Sequence, residues 1–254
     1  MGHQSELGMA ELSADATWPA EESIPLGPWR LRATHGYSHR ANSVRTVAAE
    51  SMSANWDDLV TEAEAFYREH RLPSIFHISP ATMPSDLDQI LDHRGHLIEK
   101  SSEVLSADPV AICAATARQD FLGQIILHND PDADWLSCAL DERIGPKKIR
   151  EQICRRIPAP RAFASIIENG RTIARALGAV NSGIGWVYCM ATVPDRQRRG
   201  CATRLLNSLA DWSSTNGAKK MYLQVQADNA VARELYVRSA FVKQYEYHYR
   251  VRRV

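Results

Sequence analysis

Eight consecutive residues at 195–202, Asp-Arg-Gln-Arg-Arg-Gly-Cys-Ala, have the composition and setting of a phosphate cradle. Residues 186–193 upstream are apolar and β-branched enough for a buried strand, and Pro194 closes it because proline cannot donate to a ladder. Downstream, Leu205, Leu206, Leu209 and Trp212 recur at helical spacing, which predicts a helix over 202–216 with Gly217 as its left-handed cap. A loop from a strand into a helix start aims backbone N–H groups and the positive helix end at one point. Gly200 and Ala202 keep side chains out of the way of close approach. Charge alone would describe a solvated turn; the order strand, loop, helix makes the segment an anion site. It lacks the Gly-Lys-Ser/Thr ending of a nucleotide P-loop and the three glycines of a dinucleotide fingerprint. The Gly183-x-Gly185 pair precedes a strand and is turn chemistry.

Residues 219–226 place Met221, Leu223 and Val225 on one face of a strand. Asp228 and Asn229 can cap the next helix, in which Ala232, Leu235 and Tyr236 share a side. A last strand over 244–252 alternates Tyr245, Tyr247, Tyr249 and Val251 with polar residues. Gln197, Gly200 and Ala202 match the Gln/Arg-x-x-Gly-x-Gly/Ala signature, so the loop resembles that of the GNAT superfamily of N-acetyltransferases. Residues 229–241, NAVARELYVRSAF, resemble the family's second signature: an asparagine, an alanine three on, a Leu-Tyr pair and a Gly-Phe ending. Ala240 replaces the usual glycine, which touches helix termination more than chemistry.

The chain of 254 residues has room for two domains of about 120 each. Lysine plus arginine balances aspartate plus glutamate, 30 against 30, so no overall field draws it to nucleic acid or to an acidic membrane. No stretch could span a bilayer. Cys113, Cys138, Cys154, Cys189 and Cys201 are scattered without metal-ligand spacing, as reduced thiols of a cytoplasmic protein are, and no metal is expected. The first 20 residues carry acidic groups and no run of signal-peptide length, and Glu6 stands where myristoylation wants Ser or Thr; they read as a flexible tail.

Residues 29–33 alternate as a strand, 41–47 could return as a second, and Trp56, Leu59, Val60, Ala63, Phe66 and Tyr67 trace a helix that Pro73 ends. Strands over 74–79 and 96–107 enclose a helix over 84–93. The order strand, helix, strand, helix, strand repeats that of the chain end, which makes a duplication plausible. The first copy has no cradle; His35 and His39 lie four apart, but on a turn and with no third ligand. Residues 108–118 are helical or linking. Strands at 124–128, 161–168 and 171–180, the last two joined by the hairpin signal Asn169-Gly170, with helices after Pro131 and over 146–157, complete a second unit. The reading is an α/β (α+β) GNAT fold, a mixed, mostly antiparallel sheet flanked by helices: tail 1–20, degenerate GNAT-like domain 21–121, catalytic domain 122–254.

The resemblance implies an acetyl-CoA-dependent N-acetyltransferase acting directly on a primary amine of a small molecule or on a lysine side chain. Gln197, Arg198, Arg199, Gly200, Cys201, Ala202 and Thr203 would hold the coenzyme A pyrophosphate. The edge at Met190, Ala191 and Thr192 would bind pantetheine as another strand, and Asn229 would contact the coenzyme A arm. Tyr236, seven residues after Asn229 and so on the same helix side, would be the general acid for the departing thiolate. The glutamate base of the protein N-terminal branch is replaced by Gln224. A water chain, a carboxylate such as Glu168, or an amine that arrives neutral remain open for that role. The alternative is a non-catalytic acyl-CoA-binding sensor or structural protein, disfavoured by Tyr236; an acyl chain longer than acetyl stays open. The N-terminal half packs, forms a homodimer or shapes a substrate cleft.

Overall fold

A computed structural model describes residues 2–47, 55–117, 123–139 and 147–253. The chain forms two compact units, Met1–Glu103 with Tyr245–Val254, and Val104–Gln244.

In the first unit, helix α1 (Gly2–Thr17) precedes a hairpin of β1 (Glu22–Leu26) and β2 (Trp29–Ala33). Then come the two-residue β3 (Val44–Arg45), α2 (Trp56–Glu69), β4 (Ser74–Ile78) and α3 (Leu87–His93). Strand β5 (Leu97–Ala107) runs from this unit into the next, and β11 (Val242–Arg252) runs back. Strand β3 is antiparallel to β2 and parallel to β4, and β4 is antiparallel to β11 in the register His248 opposite Ile78 to Arg252 opposite Ser74. The stripe Val60, Ala63 and Tyr67 is buried with Trp29, Leu31, Val44, Phe76, Leu87 and Leu91.

Two features correct the sequence reading. Gly2–Thr17 are a helix in place of the expected flexible tail: Leu7, Ala10, Ala14 and Trp18 are buried at helical spacing, and two of the acids that suggested a tail, Glu11 and Asp15, anchor the helix. Asp15 accepts from Arg32 at 2.6 Å and from Arg45 at 3.0 Å, and Glu11 pairs with Arg45, all largely shielded from water. The unit borders also differ from 121/122, a position outside the described residues. Helix α4 (Pro109–Thr116) packs on the second unit's own helix, with Asn207 donating to the Cys113 carbonyl at 3.3 Å and to Thr116 at 3.0 Å. The chain end joins the first unit because its backbone completes β4 and because Arg250 and His248 both reach Asp88 at 2.8 Å. His35 and His39 pair with different carboxylates, Glu21 and Glu99.

The second unit continues with β6 (Gln124–His128), α5 (Ala133–Ser137), α6 (Lys147–Arg156), β7 (Arg161–Glu168), β8 (Arg171–Asn181), β9 (Ile184–Thr192), α7 (Cys201–Thr215), β10 (Lys220–Gln226) and α8 (Ala230–Arg238). Its strand order is β10-β9-β8-β7-β6, antiparallel except for the parallel pair β9–β10. Asn169-Gly170 and Ser182-Gly183 turn the two hairpins with four positive φ angles, as type I′ turns require. Helix α7 lies so close to β8 that a Cβ on Gly178 would sit 2.9 Å from Leu209 Cδ2. No described helix is long and apolar enough to cross a membrane.

Helix α8 ends in a Schellman arrangement: Phe241 N–H donates to the Tyr236 carbonyl at 3.0 Å and Ala240 N–H to that of Val237 at 3.1 Å. Ala240 therefore takes the left-handed conformation, φ 69°, which a Cβ disfavours. Ala240→Gly is expected to stabilise the protein by about 0.5–1 kcal/mol, the relief of strain being partly offset by the freer unfolded chain. Chemical denaturation should show a raised midpoint with an unchanged slope; a lowered midpoint would contradict this account.

Candidate active site

The cradle begins where β9 ends. A 3-10 turn at Pro194–Arg196 leads to Arg198 and Gly200, both left-handed at φ 60° and 85°, and Gly200 is the N-cap of α7. No side chain caps this helix. Its first N–H groups, those of Cys201, Ala202 and Thr203, have no partner within the helix, and the helix dipole adds to their pull on an anion. The pair of left-handed residues ahead of them turns the backbone to present these donors together, and a side chain other than glycine's at 200 would be strained.

The arginines divide. Arg196 is pinned, its Nε 2.5 Å from Glu168 Oε2 and its Nη1 3.0 Å from Asp195, and the Glu168 bond holds its pKa above the usual arginine value. Arg198 and Arg199 are exposed. Glu168, open from sequence as a proton acceptor, is thus engaged in fixing the loop. Gln197 bends back, its amide donating to the Thr192 carbonyl at 3.3 Å, so its side chain shapes the turn. The Cys201 thiol lies inward, 3.7 Å from the Arg196 carbonyl, and burial raises its pKa.

Strand β9 supplies a second element. It pairs with β10 only from Ile184 opposite Lys220 to Val187 opposite Leu223, yet both strands continue. On its other edge, Ala191 and Thr192 stay paired with Arg175 and Ala174 of β8. Between Tyr188 and Ala191, two residues of β9 face Ala176 alone: a bulge, with Cys189 at φ 54°. Met190, Ala191 and Thr192 are half-buried beyond this bulge. Sequence spacing gave no sign of it, because nothing in a Tyr-Cys-Met run demands a positive φ.

Helix α8 brings the remaining residues. Asn229 caps it, Oδ1 accepting from Ala232 N–H at 3.1 Å, and the residue is exposed. Tyr236 is 8% exposed and stands 5.9 Å from Phe241, edge to face. It shares an apolar cluster with Val193, Cys201, Leu223 and Val225, against which Met190 packs. Desolvation pushes its phenol up to about 12, so it holds its proton throughout the neutral range. Its hydroxyl makes no hydrogen bond to a described residue, which leaves the donor unspent. The geometry therefore puts an uncapped helix start, an unpaired strand edge and an apolar wall carrying a protonated phenol within one unit.

Residues 4–250 match the family model described as probable histone acetyltransferase Rv0428c C-terminal. The chain is 29% identical to the uncharacterized N-acetyltransferase YobR of Bacillus subtilis (strain 168), over 98% of this chain and 99% of that protein. Among solved structures it is similar to a GCN5-related N-acetyltransferase from Kribbella flavida, with TM-score 0.65 and 14% identity over 97% of this chain and 94% of that one. It is also similar to a tandem GNAT protein from the clavulanic acid biosynthesis pathway, with TM-score 0.61 and 8% identity over 82% and 75%. Both likenesses are of fold.

Proposed function

We propose, for a chain that belongs to the Rv0428c C-terminal acetyltransferase family and is a tandem GNAT N-acetyltransferase, that its second unit transfers the acetyl group of acetyl-CoA directly to a primary amine. The acceptor is an amine of a small molecule or a lysine side chain, and the five free thiols suit a cytoplasmic setting. The observation that carries this reading is the uncapped, Gly200-led start of α7 directly after the unpaired edge of β9.

These residues fit acetyl-CoA. The N–H groups of Cys201, Ala202 and Thr203 would take the pyrophosphate, with Arg198 and Arg199 adding screened charge. The free backbone edge at Met190, Ala191 and Thr192 would hold the pantetheine as a strand holds its neighbour, with one N–H facing the carbonyl oxygen on which charge develops. Asn229, its Oδ1 committed to the cap, keeps amide N–H groups for the same arm. Acetyl-CoA supplies an activated thioester carbonyl. Alignment of the acceptor against it is the main contribution of the strand edge. As the C–N bond forms and the C–S bond breaks, Tyr236 delivers one proton to the sulfur, and the proton lost from the nitrogen passes to water, from which the phenolate regains its own, so that protons balance over the cycle.

A broad panel of amines incubated with acetyl-CoA and followed by thiol release tests the reading. At least one amine series should release coenzyme A in step with N-acetylated product, and calorimetry should show one acetyl-CoA per chain. Thiol release at the rate of a no-acceptor control for every amine would overturn it.

A further inference from the structure

Arg175 is the one residue of β8 whose chemistry the fold leaves unexplained. It is 6% exposed in the middle of a strand otherwise built mostly of small and apolar residues. Among the described residues no carboxylate pairs with it. Its Nη1 donates to the Trp135 carbonyl at 2.9 Å, and the guanidinium lies 4.7 Å from the centre of the Trp135 ring. Its Nε is fully enclosed and has no hydrogen-bond partner. One carbonyl near the end of α5 accounts for one of five N–H donors and compensates a full charge poorly. An enclosed cation with no counter-ion among the described residues is costly to hold.

The surroundings sharpen the imbalance. Among the side chains acting electrostatically on buried Cys154 are Arg175, Arg150 and Arg161, and among those acting on buried Cys138 are Arg175 and Arg171. Arg150, also buried, donates to the Leu136 carbonyl at 3.2 Å, so two guanidiniums converge on the end of one five-residue helix.

Position gives the imbalance a use. Arg175 lies directly opposite Ala191 in the β8–β9 ladder, and residues opposite each other in such a ladder point to the same face. Ala191 is small and half-buried, and it belongs to the strand edge assigned above to the acyl donor. We infer that Arg175 is an acceptor-recognition residue: the acceptor carries a carboxylate beside its amine, as amino acids do, and a bidentate guanidinium–carboxylate contact holds it beside the β9 bulge. The planar fork of arginine matches a carboxylate with two parallel bonds, whereas an isolated lysine side chain on a protein offers no such group. This inference rests on the N-acetyltransferase reading and narrows it to small acceptors.

The experiment compares free L-amino acids with their carboxamides as acceptors, at one acetyl-CoA concentration. The parent protein should favour at least one acid over its amide by about 100-fold in kcat/KM, the scale of a buried charge pair. In Arg175→Gln that ratio should fall to near one, and in Arg175→Lys, which keeps the charge without the fork, to about 10. Circular dichroism and a melting curve establish that each variant is folded. A parent that turns over amides as well as acids, or an Arg175→Gln variant that keeps the parent ratio, overturns the inference while leaving acetyl transfer intact. Failure of both series in the presence of other acetylated amines also overturns it; failure with every amine overturns the transferase reading as well.

Discussion

Replacing Gly200 with glutamate is expected to abolish measurable acetyl-CoA binding, with the dissociation constant raised by at least about 100-fold. Two effects add. Gly200 sits at φ 85°, where an L side chain costs on the order of 1–2 kcal/mol. The carboxylate would also stand at the N-cap of α7, competing for the same N–H groups and repelling the diphosphate. Gly200→Ala separates the two, since it carries the strain without the charge and should weaken binding by about tenfold. Isothermal calorimetry on the full chain is the measurement. One acetyl-CoA per chain in the parent, lost in Gly200→Glu, is the expected pattern; a second site, or unaltered affinity in Gly200→Glu, would place the cradle elsewhere.

Tyr236→Phe should lower kcat by roughly 10²- to 10⁴-fold while leaving acetyl-CoA affinity near the parent value. The ring and its contact with Phe241 remain, so only the hydroxyl is lost. Because burial pushes the phenol up to about 12, the acid form persists as pH rises through the neutral range and is lost only near that value. The kcat profile of the parent should therefore show no alkaline decline from this group below pH 10. A folded Tyr236→Phe variant that turns over at the parent rate would make the tyrosine a packing residue, as its place in the apolar cluster allows.

What the chain order already carried was local. Pro194 ends a strand, Gly200 starts a helix and Asn169-Gly170 turns a hairpin because each residue restricts or frees its own backbone, so these features appear within a few positions of their cause. The stripes Leu205, Leu206, Leu209 and Val60, Ala63, Tyr67 are equally local, since helical period alone selects the buried face. Helix α1 had such a stripe too, Leu7, Ala10 and Ala14, continued by Trp18 just beyond its end and hidden by small residues and by acids that find arginines only on other elements.

The rest came from residues far apart in sequence. Whether 245–252 closes the second sheet or joins β4 depends on partners some 170 positions away, and alternation of tyrosines fits either, since it sets a face and not a neighbour. The separation of β9 from β10 beyond Val187 and the bulge at Cys189 decide where a backbone edge stays open. The alternating pattern of either strand alone does not disclose that opening. Spacing from Asn229 points Tyr236 to acid chemistry in the sequence, with core packing as the competing reading. Its burial beside residues of α7 and β10 raises a phenol that is already protonated at neutral pH further, to about 12, which no local sequence pattern shows. Arg175 carried no signal in the sequence at all, because a charge becomes exceptional only once the fold has enclosed it with no counter-ion beside it among the described residues.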